Sequence, residues 1–79
     1  MSDEDVATIS EQAAKALTTL RNAYDALAHL REVEIRALES DSPKKHQSRL
    51  IVAYIKAVET NALYNQQAQD LSNKVVGPA

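Results

Sequence analysis

Apolar and polar residues alternate along this chain with the period of an α-helix. Over residues 13–38 the apolar positions recur in steps of three and four, the spacing found along the seam of a coiled coil. Charged and amide side chains fall on the opposite side of the same stretch. The pattern predicts a long amphipathic helix. The row along its apolar side consists of Ala13, Leu17, Leu20, Tyr24, Leu27, Arg31, Glu34 and Leu38.

Further small and apolar residues widen this side of the helix. One flanking row has a spacing of seven residues, and three more apolar residues fall on the other flank. The apolar side is therefore wide enough to contact more than one helix. The first flank consists of Ile9, Ala16, Ala23, Leu30 and Ala37, and the second of Ala14, Ala28 and Ile35.

One break divides the helical pattern. Residues 4–39 contain neither Gly nor Pro, which predicts a first helix over that range, about 50 Å long. The residues at 40–42 predict a turn, with Ser42 as N-cap and Pro43 as the first residue of a second helix over about 43–74. Residues 75–79 are predicted to form a flexible tail. Because the turn is short, the two helices are expected to be antiparallel neighbours.

The second helix repeats the helical spacing with a change of character along its length. Its first half is rich in large apolar residues, whereas its second half is rich in Asn and Gln. Packing is therefore predicted to be best near the turn and weaker toward the chain ends. Its apolar row consists of Gln47, Leu50, Tyr54, Ala57, Asn61, Tyr64, Ala68, Leu71 and Val75, widened by Ile51, Ile55, Val58 and Ala62.

The size and composition of the chain indicate self-association. Seventy-nine residues make one small domain over residues 1–79, and no cysteine is present to cross-link it. Hydrophobic residues make up 44%, but many are alanine, which favours helix and buries little area. The predicted fold is therefore all-α: a long antiparallel helical hairpin that dimerises into a four-helix bundle or coiled-coil-like assembly.

Charge and hydropathy narrow the expected partners and location. The net charge of -2 is spread along the chain without a basic stripe, so a nucleic-acid partner is not expected. No apolar run approaches the roughly 20 residues that span a bilayer, and the acidic start lacks the features of a signal peptide. The absence of cysteine fits a reducing compartment. The sequence predicts a cytoplasmic protein with no membrane partner.

Two charges, Arg31 and Glu34, interrupt the apolar row of the first helix. One explanation is an ion pair, within the chain or between subunits, that fixes register and involves Ser48 or Arg49 of the facing helix. The other is a groove that receives a polar group of a partner. The predicted partner or dimer interface consists of Leu20, Tyr24, Leu27, Arg31, Glu34, Leu38, Leu50, Tyr54, Asn61 and Tyr64.

Basic residues cluster in the first turns of the second helix, where free backbone N–H groups also accumulate. This combination is a candidate anion contact, although Glu39 and Asp41 lie close by in sequence. The candidate residues are Lys44, Lys45, His46 and Arg49.

Enzyme and cofactor chemistry find no support in the sequence. Asp25 and His29 have the spacing of metal ligands on a helix but lack a third ligand. His46 lacks the neighbours typical of a phospho-acceptor histidine, and no spacing brings a nucleophile to a base and an orienting group. We therefore expect no enzyme activity, metal, cofactor or small-molecule substrate.

The remaining function class is binding. The sequence favours a small protein–protein interaction module that binds and modulates, or inhibits, a larger protein partner. By analogy, phages and mobile elements encode accessory proteins of this kind. One alternative is a nucleic-acid-associated accessory protein that uses the basic cluster. Another is a structural subunit of a larger assembly.

Overall fold

The computed structural model describes residues 2–76, which form two long helices. Helix α1 spans Asp3–Glu39 and helix α2 spans Gln47–Val76. A short 3-10 helix, Pro43–His46, connects them, and the described residues contain no strand. The all-α class is therefore confirmed for this part of the chain.

A capping box starts α1. The Ser2 hydroxyl accepts a hydrogen bond from the Asp5 backbone N–H at 3.2 Å, and the Asp5 carboxylate accepts one from the Ser2 N–H at 3.5 Å. Three acidic residues occupy the first turn, where the helix dipole favours negative charge. The helix ends at Ser40, whose extended backbone cannot continue it.

The connection differs in detail from the sequence prediction. Pro43 begins a 3-10 helix rather than α2 itself, and the Ser42 side chain makes no capping hydrogen bond. At the other end, Val75 and Val76 continue α2, although the sequence pattern assigned them to the tail. The rest of the predicted tail, residues 77–79, lies outside the described residues.

The two helices lie side by side along most of their length. The beginning of α1 lies beside the end of α2, because Leu17 and Val75 line one shared depression. The end of α1 lies beside the beginning of α2, because Arg36 and Arg49 line another. The molecule measures 60 × 21 × 13 Å. Its radius of gyration of 17.7 Å exceeds the value of about 12 Å that a compact domain of this length would have.

Small residues form the contact between the helices. The buried positions in α1 are related by heptad spacing. The buried apolar side chains of both helices are alanine, apart from one valine. We call this contact the alanine seam. It consists of Ala16, Thr19, Ala23, Ala26 and Val33 in α1 and Ala53 and Ala57 in α2.

In α1 the alanine seam is not the row that the sequence singled out, whereas in α2 it includes Ala57 of the predicted row. It follows the flanking row that contains Ala16 and Ala23, and it leaves the row of Leu17 and Tyr24 outside. Small side chains let two helix backbones approach closely, whereas leucine and tyrosine in the same plane would hold them apart. Only one row of each helix can occupy the contact, and here it is the row of small residues.

Polar groups enter the contact toward the chain ends. The Thr19 hydroxyl is satisfied because it donates to the Lys15 carbonyl at 3.1 Å. The side-chain carbonyl oxygens of Gln12 and Gln67 are buried without a hydrogen-bond partner, an arrangement that costs about 1–3 kcal/mol for each group. No described residue of α2 beyond Ala57 is buried, so the polar second half of α2 packs weakly, as predicted. The prediction that packing is best near the turn is wrong, because no residue between 34 and 52 is buried and the buried residues lie in the middle of the helix pair.

Candidate interaction surfaces

Large apolar side chains of α1 remain exposed in a continuous row. Leu17 is 65% exposed, Tyr24 is 64% exposed and Leu38 is 76% exposed. Leu27 continues the same row and is half exposed. Solvent-exposed leucines that occur singly are ordinary, whereas an exposed apolar row along one side of a helix is a candidate interaction surface.

Helix α2 extends this exposed surface across the alanine seam. Leu17 shares an open, mainly apolar depression of about 480 Å³ with Tyr64, Ala68 and Val75. Residues spaced by three and four from Ala68 and Val75 lie on the same side of α2. We call the combined surface the apolar face. It consists of Ala13, Leu17, Leu20, Tyr24, Leu27, Arg31, Glu34 and Leu38 of α1 and Ile51, Tyr54, Val58, Asn61, Tyr64, Ala68 and Val75 of α2.

The structure therefore assigns the residues of the predicted interface to two zones. Leu20, Leu50 and Tyr64 are partly covered at the edge of the helix–helix contact. Tyr54 is 60% exposed, and Asn61 is also exposed. No described part of the chain covers this second zone, which also holds the exposed residues of α1.

Arg31 and Glu34 form an ion pair within α1. The Arg31 guanidinium donates to a Glu34 carboxylate oxygen at 3.0 Å, and the two side chains are 68% and 45% exposed. Arg49 and Ser48, the partners suggested by the antiparallel pairing, do not take part in this ion pair. An exposed pair of this kind contributes little to the fold, about 0.2–1 kcal/mol at most. Its position within an apolar face is more informative than its strength.

The basic residues near the turn do not form one site. Lys44 and Lys45 are exposed on the 3-10 helix, and His46 is half-buried there. Arg49 lies instead in a depression on the side of the molecule opposite the apolar face. We call this depression, of about 490 Å³, the basic groove. It is lined by His29, Val33, Arg36, Ser48, Arg49, Val52, Ala53 and Lys56.

Sequence patterns gave only part of the basic groove. Arg49 is a predicted anion contact, whereas His29 is considered only as a metal ligand beside Asp25, and Arg36 and Lys56 have no predicted binding role. A signal is nevertheless present. His29 and Arg36 are seven residues apart, as are Arg49 and Lys56, so each pair lies on one side of its helix.

Comparison with known proteins assigns neither a family nor a function to the chain. No protein-family model matches the chain, and neither the curated proteins nor the solved structures contain a match. Within the described residues, no group of three or more His, Asp or Glu side chains is placed to hold a metal ion. In the same part of the chain, neither helix has a stretch long and apolar enough to cross a bilayer.

Proposed function

We propose that this protein is a non-catalytic protein–protein interaction module that folds as an antiparallel helical hairpin and dimerises through its apolar face. The dimer is a four-helix assembly, and it binds and modulates a larger protein partner. The observation that carries the proposal is the exposed row of Leu17, Tyr24, Leu27 and Leu38, which residues 2–76 leave uncovered.

The surface area supports self-association. The chain exposes 6293 Å², whereas a compact monomer of its mass exposes about 4,700 Å². The excess is roughly 1,600 Å² for each chain, and two copies covering it would bury about 3,200 Å² in total. Obligate homodimers bury about 2,000–5,000 Å². A second copy is therefore an occupant of adequate size for the apolar face.

The composition of the apolar face also supports a protein as its occupant. Tyr24, Tyr54 and Tyr64 combine a large ring with a hydroxyl group, and such side chains are frequent anchors in protein interfaces. The depression beside Leu17 is open and lined mainly by aliphatic groups. A shallow surface of this chemistry suits a helix from another chain better than a small polar molecule.

A pull-down from native lysate, combined with light scattering, tests the proposal. We expect tagged protein to be dimeric at both low and high salt and to capture a single stoichiometric protein partner. The double variant Leu17→Glu/Tyr24→Glu should lose dimerisation, whereas Thr18→Glu on the polar side should retain it. Capture of nucleic acid without protein would overturn the proposal.

A nucleic-acid-associated role is the second candidate, because the basic groove gathers Arg36, Arg49 and Lys56. Phosphate-driven binding falls steeply as salt rises, whereas docking through leucine and tyrosine changes little. In the form predicted from the sequence, the nucleic acid contacts the basic residues of the turn. Lys44→Glu/Lys45→Glu would then abolish binding, and this variant leaves the apolar face intact.

A structural subunit of a larger assembly is the third candidate. It predicts oligomers well beyond the dimer, which the same light-scattering measurement detects.

A further inference from the structure

We propose that the basic groove docks an acidic amphipathic α-helix from the larger protein partner. The inference rests on the proposed function, since it specifies the chemistry of the partner that the dimer binds. It concerns a different surface from the apolar face, so the two can be tested separately.

Three cationic side chains and one histidine line the groove in two layers. His29 and Arg36 line the α1 side, and Arg49 and Lys56 line the α2 side. Residues seven positions apart in a helix are separated by about 10.5 Å along its axis. Because the helices run in opposite directions, His29 lies level with Lys56, and Arg36 lies level with Arg49. Carboxylates spaced by seven residues on a docked helix would reach both layers.

The floor between these layers is apolar. Val33 and Ala53 are buried beneath it, and Val52 is 67% exposed at its surface. An exposed valine between cationic residues has no evident role in the packing of α1 against α2. It offers a contact for the aliphatic side chains of a helix that lies along the groove.

The charge of the groove is positive and local. The chain as a whole carries a net charge of -2, yet none of the described residues that line the groove bears a carboxylate. The nearest carboxylates on this side, Asp25 and Glu59, line the next depression, which shares Lys56 with the groove. Charge complementarity therefore favours an acidic occupant, and arginine pairs well with carboxylates. A nucleic acid would leave the apolar floor without a counterpart, and among these lining residues only the His29 imidazole is a ring on which a base could stack.

The groove stays accessible when the apolar face is covered. On α1, His29 and Arg36 lie on one side of the alanine seam, and Leu17 and Tyr24 lie on the other. A second copy on the apolar face therefore leaves His29 and Arg36 on the outside of the assembly. Each dimer then presents two basic grooves. The apolar face makes the assembly, and the grooves select its partner.

A designed peptide provides the probe. It is a helical peptide of about 20 residues in which glutamates spaced by seven flank a row of alanine and leucine, with a matched peptide that has glutamine in place of glutamate. Fluorescence anisotropy measures binding to the full chain. A labelled single-stranded oligonucleotide of similar length serves as the competing class of ligand.

Two double charge reversals provide the matched variants. Arg36→Glu/Arg49→Glu changes the groove, and Lys44→Glu/Lys45→Glu makes the same charge change on the exposed turn. We expect the glutamate peptide to bind at least about tenfold more tightly than the glutamine peptide. The affinity for the glutamate peptide should fall by at least about tenfold only in the groove variant. Circular dichroism checks folding, and Arg36→Gln/Arg49→Gln replaces the groove variant if that one unfolds.

Three results would overturn the inference. The first is that the glutamine peptide binds as well as the glutamate peptide. The second is that both charge reversals weaken peptide binding equally. The third is that the oligonucleotide binds more tightly than the peptide, through Arg36 and Arg49. Light scattering on the same samples separates this failure from failure of the proposed function. A dimer without peptide binding rejects only the groove, whereas a monomer rejects the assembly.

Discussion

Alanine at the seam positions decides how closely the two helices approach. Ala26 and Ala57 are buried, and each fills its place in the contact with a single methyl group. A buried alanine contributes little hydrophobic energy compared with the roughly 1.5–3 kcal/mol gained by fully burying a leucine. The alanine seam therefore favours close packing over buried area, and this choice leaves the larger side chains available for another chain.

Enlarging a seam residue should destabilise the fold. We expect Ala26→Leu to cost about 1–3 kcal/mol, because the added methylenes force the helices apart. Ala14→Leu adds the same atoms at an exposed position of α1 and should change stability by less than about 0.5 kcal/mol. Denaturant unfolding at fixed protein concentration measures both variants. Equal stabilities would show that Ala26 does not lie in a tight contact.

At the scale of the element, α1 carries two rows that both satisfy helical spacing. Periodicity predicts two helices and the all-α class, which the structure confirms for the described residues. It does not decide which row packs internally, since the row of Leu17 and the row of Ala16 differ in side-chain size and not in period. Burial by size favours the leucines, whereas the geometry of the helix pair favours the alanines.

The basic groove could not be predicted from the sequence, for a related reason. Its three cationic side chains and His29 come from two helices, and the placement of His29 beside Lys56 depends on the register of the turn. The residues 40–46 set that register, and the 3-10 helix within them was not evident from the pattern of Ser42 and Pro43. Charges that are scattered in sequence can therefore lie together in the structure.

In the proposed dimer, the Arg31–Glu34 pair suggests how α1 of one copy contacts α1 of the other. In a two-fold symmetric interface, every contact between one residue and a different residue of the other chain occurs twice. A two-fold axis that passes between these residues would bring Arg31 of each chain to Glu34 of the other. We expect Arg31→Glu and Glu34→Arg each to weaken the dimer by about tenfold or more, because four like charges then meet. Mixing the two variants should restore dimers, as heterodimers.

Native mass spectrometry distinguishes the heterodimer when one variant is isotopically labelled. Arg21→Glu and Glu32→Arg are matched reversals at exposed positions outside the apolar face, and both should remain homodimeric. If the mixture of the Arg31 and Glu34 variants stayed monomeric while each variant remained folded, the ion pair would lie away from the two-fold axis.

The molecule as a whole is a thin rod, 60 Å long and 13 Å across its narrowest direction. In a layer that is two helices wide and one helix thick, every helix has one side against its neighbour and the other sides open. Covering the apolar face with a second copy makes a two-layer bundle with an interior, which is the usual way for helices to bury an apolar side. Stability should then depend on protein concentration.

Sedimentation equilibrium across a range of concentrations, with thermal unfolding of the same samples, tests the central claim that the apolar face is an interface between two copies. We expect a mass of twice the 8.7 kDa chain and an unfolding temperature that rises with concentration. A fully helical species of 8.7 kDa, with an unfolding temperature independent of concentration, would contradict that claim.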